Sequence, residues 1–294
     1  MPYVLLIFTT LFWSGNFVLS RGMHTVIPPM ALSFWRWSLA LAILAALASH
    51  HLWRQRRLLL DHAGFIGLQG LLGVTGFNTL LYLAMQYTTA INAVLVNSCM
   101  PVLIVTFSWA LYRDTMRPRQ CCGVLVSLMG VLSILAKGDV AVLLQVSFNR
   151  GDLLVLAAAA VWALYSINLR RYPRDLHPLA YLTAISLLGL VGIAPLYLGE
   201  LSAGRSMPIN ARTMVSIAYV ALFASVLAFI FWNRAVRTIG ANRAGPFVHL
   251  MPVFSTILAV LFLGERLAWY HGMGILLIFV GILMTTFRAG EPAG

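Results

Sequence analysis

Seven polar side chains stand deep inside apolar runs of this sequence: Asn16, Asn78, Tyr82, Asn97, Tyr165, Asn168 and His249. Amides, phenols and an imidazole can donate and accept hydrogen bonds. They can orient a bound molecule without breaking any of its bonds. Polar groups at membrane depth are functional candidates by default, although a lone amide between helices can be only an interhelical hydrogen bond contributing about 0.6 kcal/mol. Asn78 and Tyr82 are four residues apart and share one helix face, which Asn97 could oppose. Trp13 and Trp162 fall midway along their runs, away from the interfacial belt where membrane tryptophans gather, and that placement favours a cavity wall over an anchor. Trp35, Trp37 and Trp53 lie near run ends and read as anchors. Arg36 lies about six residues inside its run. From there it can snorkel outward or hold a carboxylate.

Groups that would break bonds do not assemble. All eight acids (Asp61, Asp114, Asp139, Asp152, Asp175, Glu200, Glu265 and Glu291) fall in loops or at helix ends, which removes a paired-aspartate intramembrane protease. HExxH, GxSxG and Walker A patterns are lacking, and Cys99, Cys121 and Cys122 form neither a CxxC nor a well-spaced pair. The expectation is a binding protein with no catalytic residue, metal or cofactor. Its partners are a small molecule and the lipid bilayer, with no nucleic acid. The expected binding set is Trp13, Asn16, Asn78, Tyr82, Asn97, Trp162, Tyr165 and His249.

The elements that must position these residues follow from composition. Of 294 residues, 61% are hydrophobic and 10% charged, against about 25% charged in an ordinary soluble domain, and the mean hydropathy of +0.88 is spread over the whole length. Apolar runs fall at 3–20, 30–49, 64–86, 90–111, 119–136, 152–169, 178–198, 212–233, 242–263 and 267–287, which predicts ten spanning helices. Spans of about 20 residues leave only short loops and no room for an extramembrane domain. The net charge of +12 is dispersed between the runs, so topology accounts for it. Alternate loops hold thirteen and six basic residues, and the richer set places both termini in the cytoplasm.

The chain also repeats itself. Sliding residues 90–133 onto 241–284 without a gap gives nine identities, among them Met100-Pro101-Val102 on Met251-Pro252-Val253, Gly123 on Gly274 and Gly130 on Gly281, and it sets Asp114 against Glu265. Trp13 pairs with Trp162 at an offset of 149. The resulting halves are 1–143 and 144–294. With five helices each, an odd number, the second half enters the membrane from the opposite side. Inverted repeats of this kind frame substrate sites near the midplane and suit alternating access. Pro101 and Pro252 lie within predicted helices, where a missing donor frees the carbonyls of Asn97 and Val248 and makes a kink or a gate. Glycines at 64, 67, 70, 73 and 76 read as a close-packing face.

With two five-helix halves, an aromatic first helix, a proline-bearing fourth helix ending in an acid and a glycine-rich fifth, the sequence resembles the drug/metabolite transporter superfamily. It looks EamA-type, most like the YddG-type aromatic amino-acid exporters. The resemblance implies an all-α integral membrane protein of a bacterial cytoplasmic membrane, with the first four helices of each half lining a central cavity. It implies export of hydrophobic or aromatic amino acids or related metabolites. An intramembrane enzyme, a channel and a nucleotide-sugar carrier are the rivals. A dianionic sugar nucleotide calls for several basic residues in the cavity, and Arg36 stands alone. Without a carboxylate at depth, a facilitator is expected rather than a proton-driven pump, His249 being the sole titratable alternative.

Overall fold

The structure, a computed structural model, describes all residues except 24, 89, 140, 143–148, 264–266 and 287–294. Glu265, Arg266, Arg288, Glu291 and the predicted boundary between 143 and 144 therefore lie outside the described residues. Among those described there is no strand, and nine helices are long and apolar enough to cross a membrane.

In chain order the helices are α1 (Pro2–Met23), α2 (Pro29–Arg54), α3 (Ala63–Ala84), α4 (Ala93–Tyr112), α5 (Pro118–Leu135), α6 (Arg150–Arg171), α7 (Pro178–Ser202), α8 (Ala211–Ile239), α9 (Leu250–Leu263) and α10 (Trp269–Thr286). The run at 242–263 differs from the other nine. Its first part is a short turn of helix, Ala241–Ala244, and a 3-10 segment, Gly245–His249, which leave α9 only 14 residues long. The α4 span is broken too, by a turn at Ser98 and Cys99. Both prolines therefore occupy the first turn of a helical segment, Pro101 in Met100–Tyr112 and Pro252 in Leu250–Leu263. That position tolerates a missing N–H. The expectation of proline inside a continuous helix is corrected: each helix breaks just before its proline. A proline that does lie inside a continuous helix is Pro195, within α7.

Two wide turns complete the pattern. Leu71–Gly76 in α3 and Val220–Leu227 in α8 are π-helical, a local widening that often marks functional sites.

Packing joins the first half of the chain to the second. α5 lies along α10, α2 along α7, α1 against α8 and α9, and α6 against α3 and α4. The α5–α10 contact depends on glycine. A β-carbon added at Gly123 would lie 2.6 Å from the Gly281 carbonyl oxygen, and one at Gly130 would lie 2.6 Å from that of Gly274. The glycine series on α3 behaves differently. Gly64 and Gly67 face open space, and only Gly70, Gly73 and Gly76 meet neighbours. A three-residue step falls about 60° short of a full turn, so five such glycines wind around the helix and cannot share one face.

Candidate binding cavity

The residues that border the central cavity come from helices on both sides of the α1–α6 contact. Trp13 on α1 and Trp162 on α6 meet edge to face, their centroids 5.1 Å apart. Phe77 and Phe229 pack on Trp162 at 5.0 and 5.4 Å. Beside this aromatic wall lies a cavity of about 40 Å³, bordered also by Asn16, Phe17, Arg36, Asn78, Leu81, Tyr82, Asn97, Met100, Val248 and Met251. That volume holds a few waters. Small-molecule sites are usually about 300 Å³ or more, so the space is smaller than such a site.

Arg36 dominates the chemistry. Its side chain is 3% exposed and turns inward, so the outward snorkelling open to it in the sequence is corrected. Nε donates to Ser225 Oγ at 2.9 Å and Nη1 to Tyr82 Oη at 2.9 Å. The π-helical turn in α8 presents Ser225, whose hydroxyl donates to the Val220 carbonyl five residues back. These partners are neutral, and among the described residues no carboxylate lies within ion-pair distance of the guanidinium. Two residues that border the cavity each carry a buried polar atom with no partner among the described residues: Asn97 Oδ1, an acceptor, and Trp162 Nε1, a donor. A buried polar atom left unpaired costs about 1–3 kcal/mol. Arg36, Asn97 and Trp162 thus border one space.

The other predicted residues divide. Trp13 Nε1 donates to the Ala224 carbonyl at 3.2 Å, and Asn78 Nδ2 to that of Val74 at 2.6 Å, which fixes both side chains at the cavity wall. Asn16 borders the cavity and accepts from Ser20 Oγ at 3.4 Å. Tyr165 and His249 do not border it. Tyr165 Oη donates to Asn233 Oδ1 at 2.7 Å in a fully buried pair. His249 Nε2 donates to the Ser98 carbonyl at 3.0 Å, and Nδ1 meets Ser127 Oγ at 2.7 Å, so the ring ties the turn before α9 to α4 and α5. The Ser98 carbonyl is available because α4 breaks there. Asn168 accepts from Tyr112 Oη at 2.8 Å, at the arginine-rich end of α6.

Two tryptophans read as anchors part company. Trp53 is exposed, with Arg56 over its ring at 4.5 Å, while Trp37 is fully buried and edge-on to Phe229 at 5.0 Å. Two acids at helix ends are also buried. Glu200, near the end of α7, accepts from the Ala31 amide at 2.8 Å, capping α2, and Asp152 accepts from the Asn149 amide at 2.9 Å.

Residues absent from the expected set also shape the site. Trp232 and Asn233 on α8 pack beside the cavity wall: Trp232 Nε1 donates to Ser166 Oγ at 3.2 Å, next to the Tyr165–Asn233 bond. Asn233 satisfies the same polar-at-depth criterion as Asn78. It escapes because the apolar run ends there, whereas α8 continues to Ile239. No sequence signal marks Ser225, whose role depends on the π-helical turn.

Nine helices long and apolar enough to cross a membrane, among the described residues, packed around a small internal cavity, define the class, a multi-pass membrane protein. The EamA-like transporter family matches residues 1–136 and again 149–287, and the chain belongs to that family within the drug/metabolite transporter superfamily; it is a membrane transporter. Among similar proteins, the uncharacterized transporter YyaM of Bacillus subtilis is 26% identical over 96% of this chain and 92% of its own. A probable amino-acid metabolite efflux pump of Salmonella typhimurium is 25% identical over 60% of each chain. A solved crystal structure superposes with a TM-score of 0.79 at 21% identity, covering 97% of both chains, a likeness of fold.

Proposed function

We propose that this transporter carries small zwitterions with apolar or aromatic bulk, amino acids first among them, out of the cell by alternating access. The observation that carries the reading is the cavity lining: Arg36, Asn97 and Trp162 against an aromatic wall, with no acid partner for Arg36, no donor for Asn97 Oδ1 and no acceptor for Trp162 Nε1 among the described residues. A carboxylate suits the guanidinium, an ammonium suits the amide oxygen, and the indole and phenyl faces suit apolar bulk. A dianionic sugar nucleotide would find one cation. The name of the Salmonella relative points the same way.

Alternating access follows from reading the chain as two inverted five-helix repeats. In support, the family matches twice, π-helical turns begin at Leu71 and Val220, 149 residues apart, and both prolines follow a break. Each half also packs chiefly against the other. The arginine-rich loops place both termini in the cytoplasm. In a bacterium this would be the cytoplasmic membrane.

Counterflow in proteoliposomes with a panel of amino acids tests the substrate class, and failure of every zwitterion to exchange would overturn it. Downhill transport is the expected mode. His249 is bonded through both ring nitrogens, and Glu200 and Asp152 cap helix N-termini near the outer face, so the described spans leave no uncommitted acid at the cavity. Accumulation above equilibrium driven by an imposed pH gradient would refute this.

A further inference from the structure

A larger cavity, about 390 Å³, lies at the arginine-rich end of the bundle, between the ends of α4, α6 and α8 and the turn leading to α9. Its walls carry Arg170, Arg174 and Arg237 against one carboxylate, Asp114. That carboxylate is already engaged: Oδ2 accepts from Ser108 Oγ at 3.2 Å and from Asn242 Nδ2 at 3.3 Å. Arg170 lies over the Tyr112 ring at 4.5 Å and Arg237 over the Tyr172 ring at 3.6 Å. Stacking occupies the face of a guanidinium and leaves in-plane N–H donors for oxygen anions, although Arg237 also hydrogen-bonds the Tyr172 side chain. Among the described residues none of the three arginines is within ion-pair distance of an acid. The space is within the size range of small-molecule sites.

The floor of this vestibule leads toward the central cavity. Ser166 lines it and accepts from Trp232 Nε1 at 3.2 Å. Trp232 in turn packs on Trp13 and Trp162, at 5.3 and 5.9 Å, and both of those border the central cavity. One layer of side chains separates the two spaces.

We propose that the vestibule is a second binding station, at which the arginines take the carboxylate of a small organic solute before it passes the Trp232–Ser166 layer. The onward step rests on the central cavity being the transport site; anion binding in the vestibule does not. A lipid phosphate shares the chemistry, but the floor at Ser166 is fully buried in the bundle interior, which favours a solute.

The test uses the whole chain in nanodiscs and 19F NMR line broadening of 4-fluorophenylacetate, a monoanionic carboxylate with aromatic bulk. The parent and R36Q should both broaden the line, and R170Q/R174Q/R237Q should do so about fivefold less, since three charge-assisted donors are lost. If the triple variant does not elute as a single species, R174Q/R237Q, altered at exposed positions, should show a loss of about threefold by the same logic. Broadening by the arginine variant equal to the parent overturns the proposal, and if R36Q alone abolishes it, the probe sits in the central cavity instead. Broadening in phosphatidylcholine discs that disappears in phosphatidylglycerol discs also overturns it, assigning the arginines to lipid phosphate. Failure of the amino-acid reading appears separately, as leucine counterflow that R36Q leaves unchanged.

Discussion

The first half of the chain supplies the amides, the phenol and the guanidinium that border the central cavity, whereas the residues from the second half that border it are Trp162 and three apolar side chains. Asn16, Arg36, Asn78, Tyr82 and Asn97 all precede residue 143, whereas the later half contributes Trp162, Phe229, Val248 and Met251. Positions 149 apart show the divergence directly. Trp13 and Trp162 both border the cavity, but three residues further on Asn16 borders it while Tyr165 turns away to Asn233. Under the proposed inverted repeat, the two positions lie on opposite sides of the midplane, so one copy's polar group would face the solute and the other's would close the path behind it.

This contrast is easiest to break at Arg36. Its charge is held by two neutral hydroxyls in a buried space, and hydrogen bonds to charged groups contribute about 1.5–3 kcal/mol. Arg36→Gln should therefore cut amino-acid counterflow by about ten- to a hundredfold, with Arg36→Lys between it and the parent. Undiminished flux in Arg36→Gln would remove the cation from the site.

The closing side should show its effect in stability first. Tyr165→Phe leaves Asn233 Oδ1 buried without a donor, a loss of about 1–3 kcal/mol that should lower the unfolding temperature in detergent. Tyr165→Phe/Asn233→Leu should recover part of it. A double-mutant cycle reads the coupling, and additive losses would mean the pair is no seal.

A smaller effect separates the open atoms on the cavity side. Asn97→Leu and Trp162→Phe each remove a group with no partner among the described residues, so stability should hold or rise while the half-saturation concentration climbs about fivefold, as for one lost hydrogen bond of about 1 kcal/mol. Unfolding of either variant, with no change in half-saturation of the remaining folded protein, would make these groups packing elements.

The smallest expected change is at Trp53, exposed at the arginine-rich end of α2. Trp53→Ala should leave flux and elution behaviour as in the parent. A large loss there would show that the polar residues of the cavity are not the discriminating part of the molecule.

What the amino-acid order determines by itself is everything that depends on local chemistry. Runs of apolar residues must bury their backbone polar groups in helices, which made nine spans legible, and the shared Met-Pro-Val and glycine spacings made the repeat visible before any coordinates. Six of the eight residues expected at the site, Trp13, Asn16, Asn78, Tyr82, Asn97 and Trp162, do border one cavity. Polar groups are costly at depth, so their scarcity in the sequence already narrows the list. Tertiary structure decided which of them face each other. Tyr165 and His249 satisfy the same sequence criterion as Asn97, yet both are engaged between helices because a buried donor or acceptor takes the nearest partner the packing offers. Arg36 reads as a residue able to snorkel until α3 and α8 bring Tyr82 and Ser225 within 2.9 Å. That meeting depends on the crossing of three helices and on a π-helical turn, neither of which leaves a periodicity in the sequence to read.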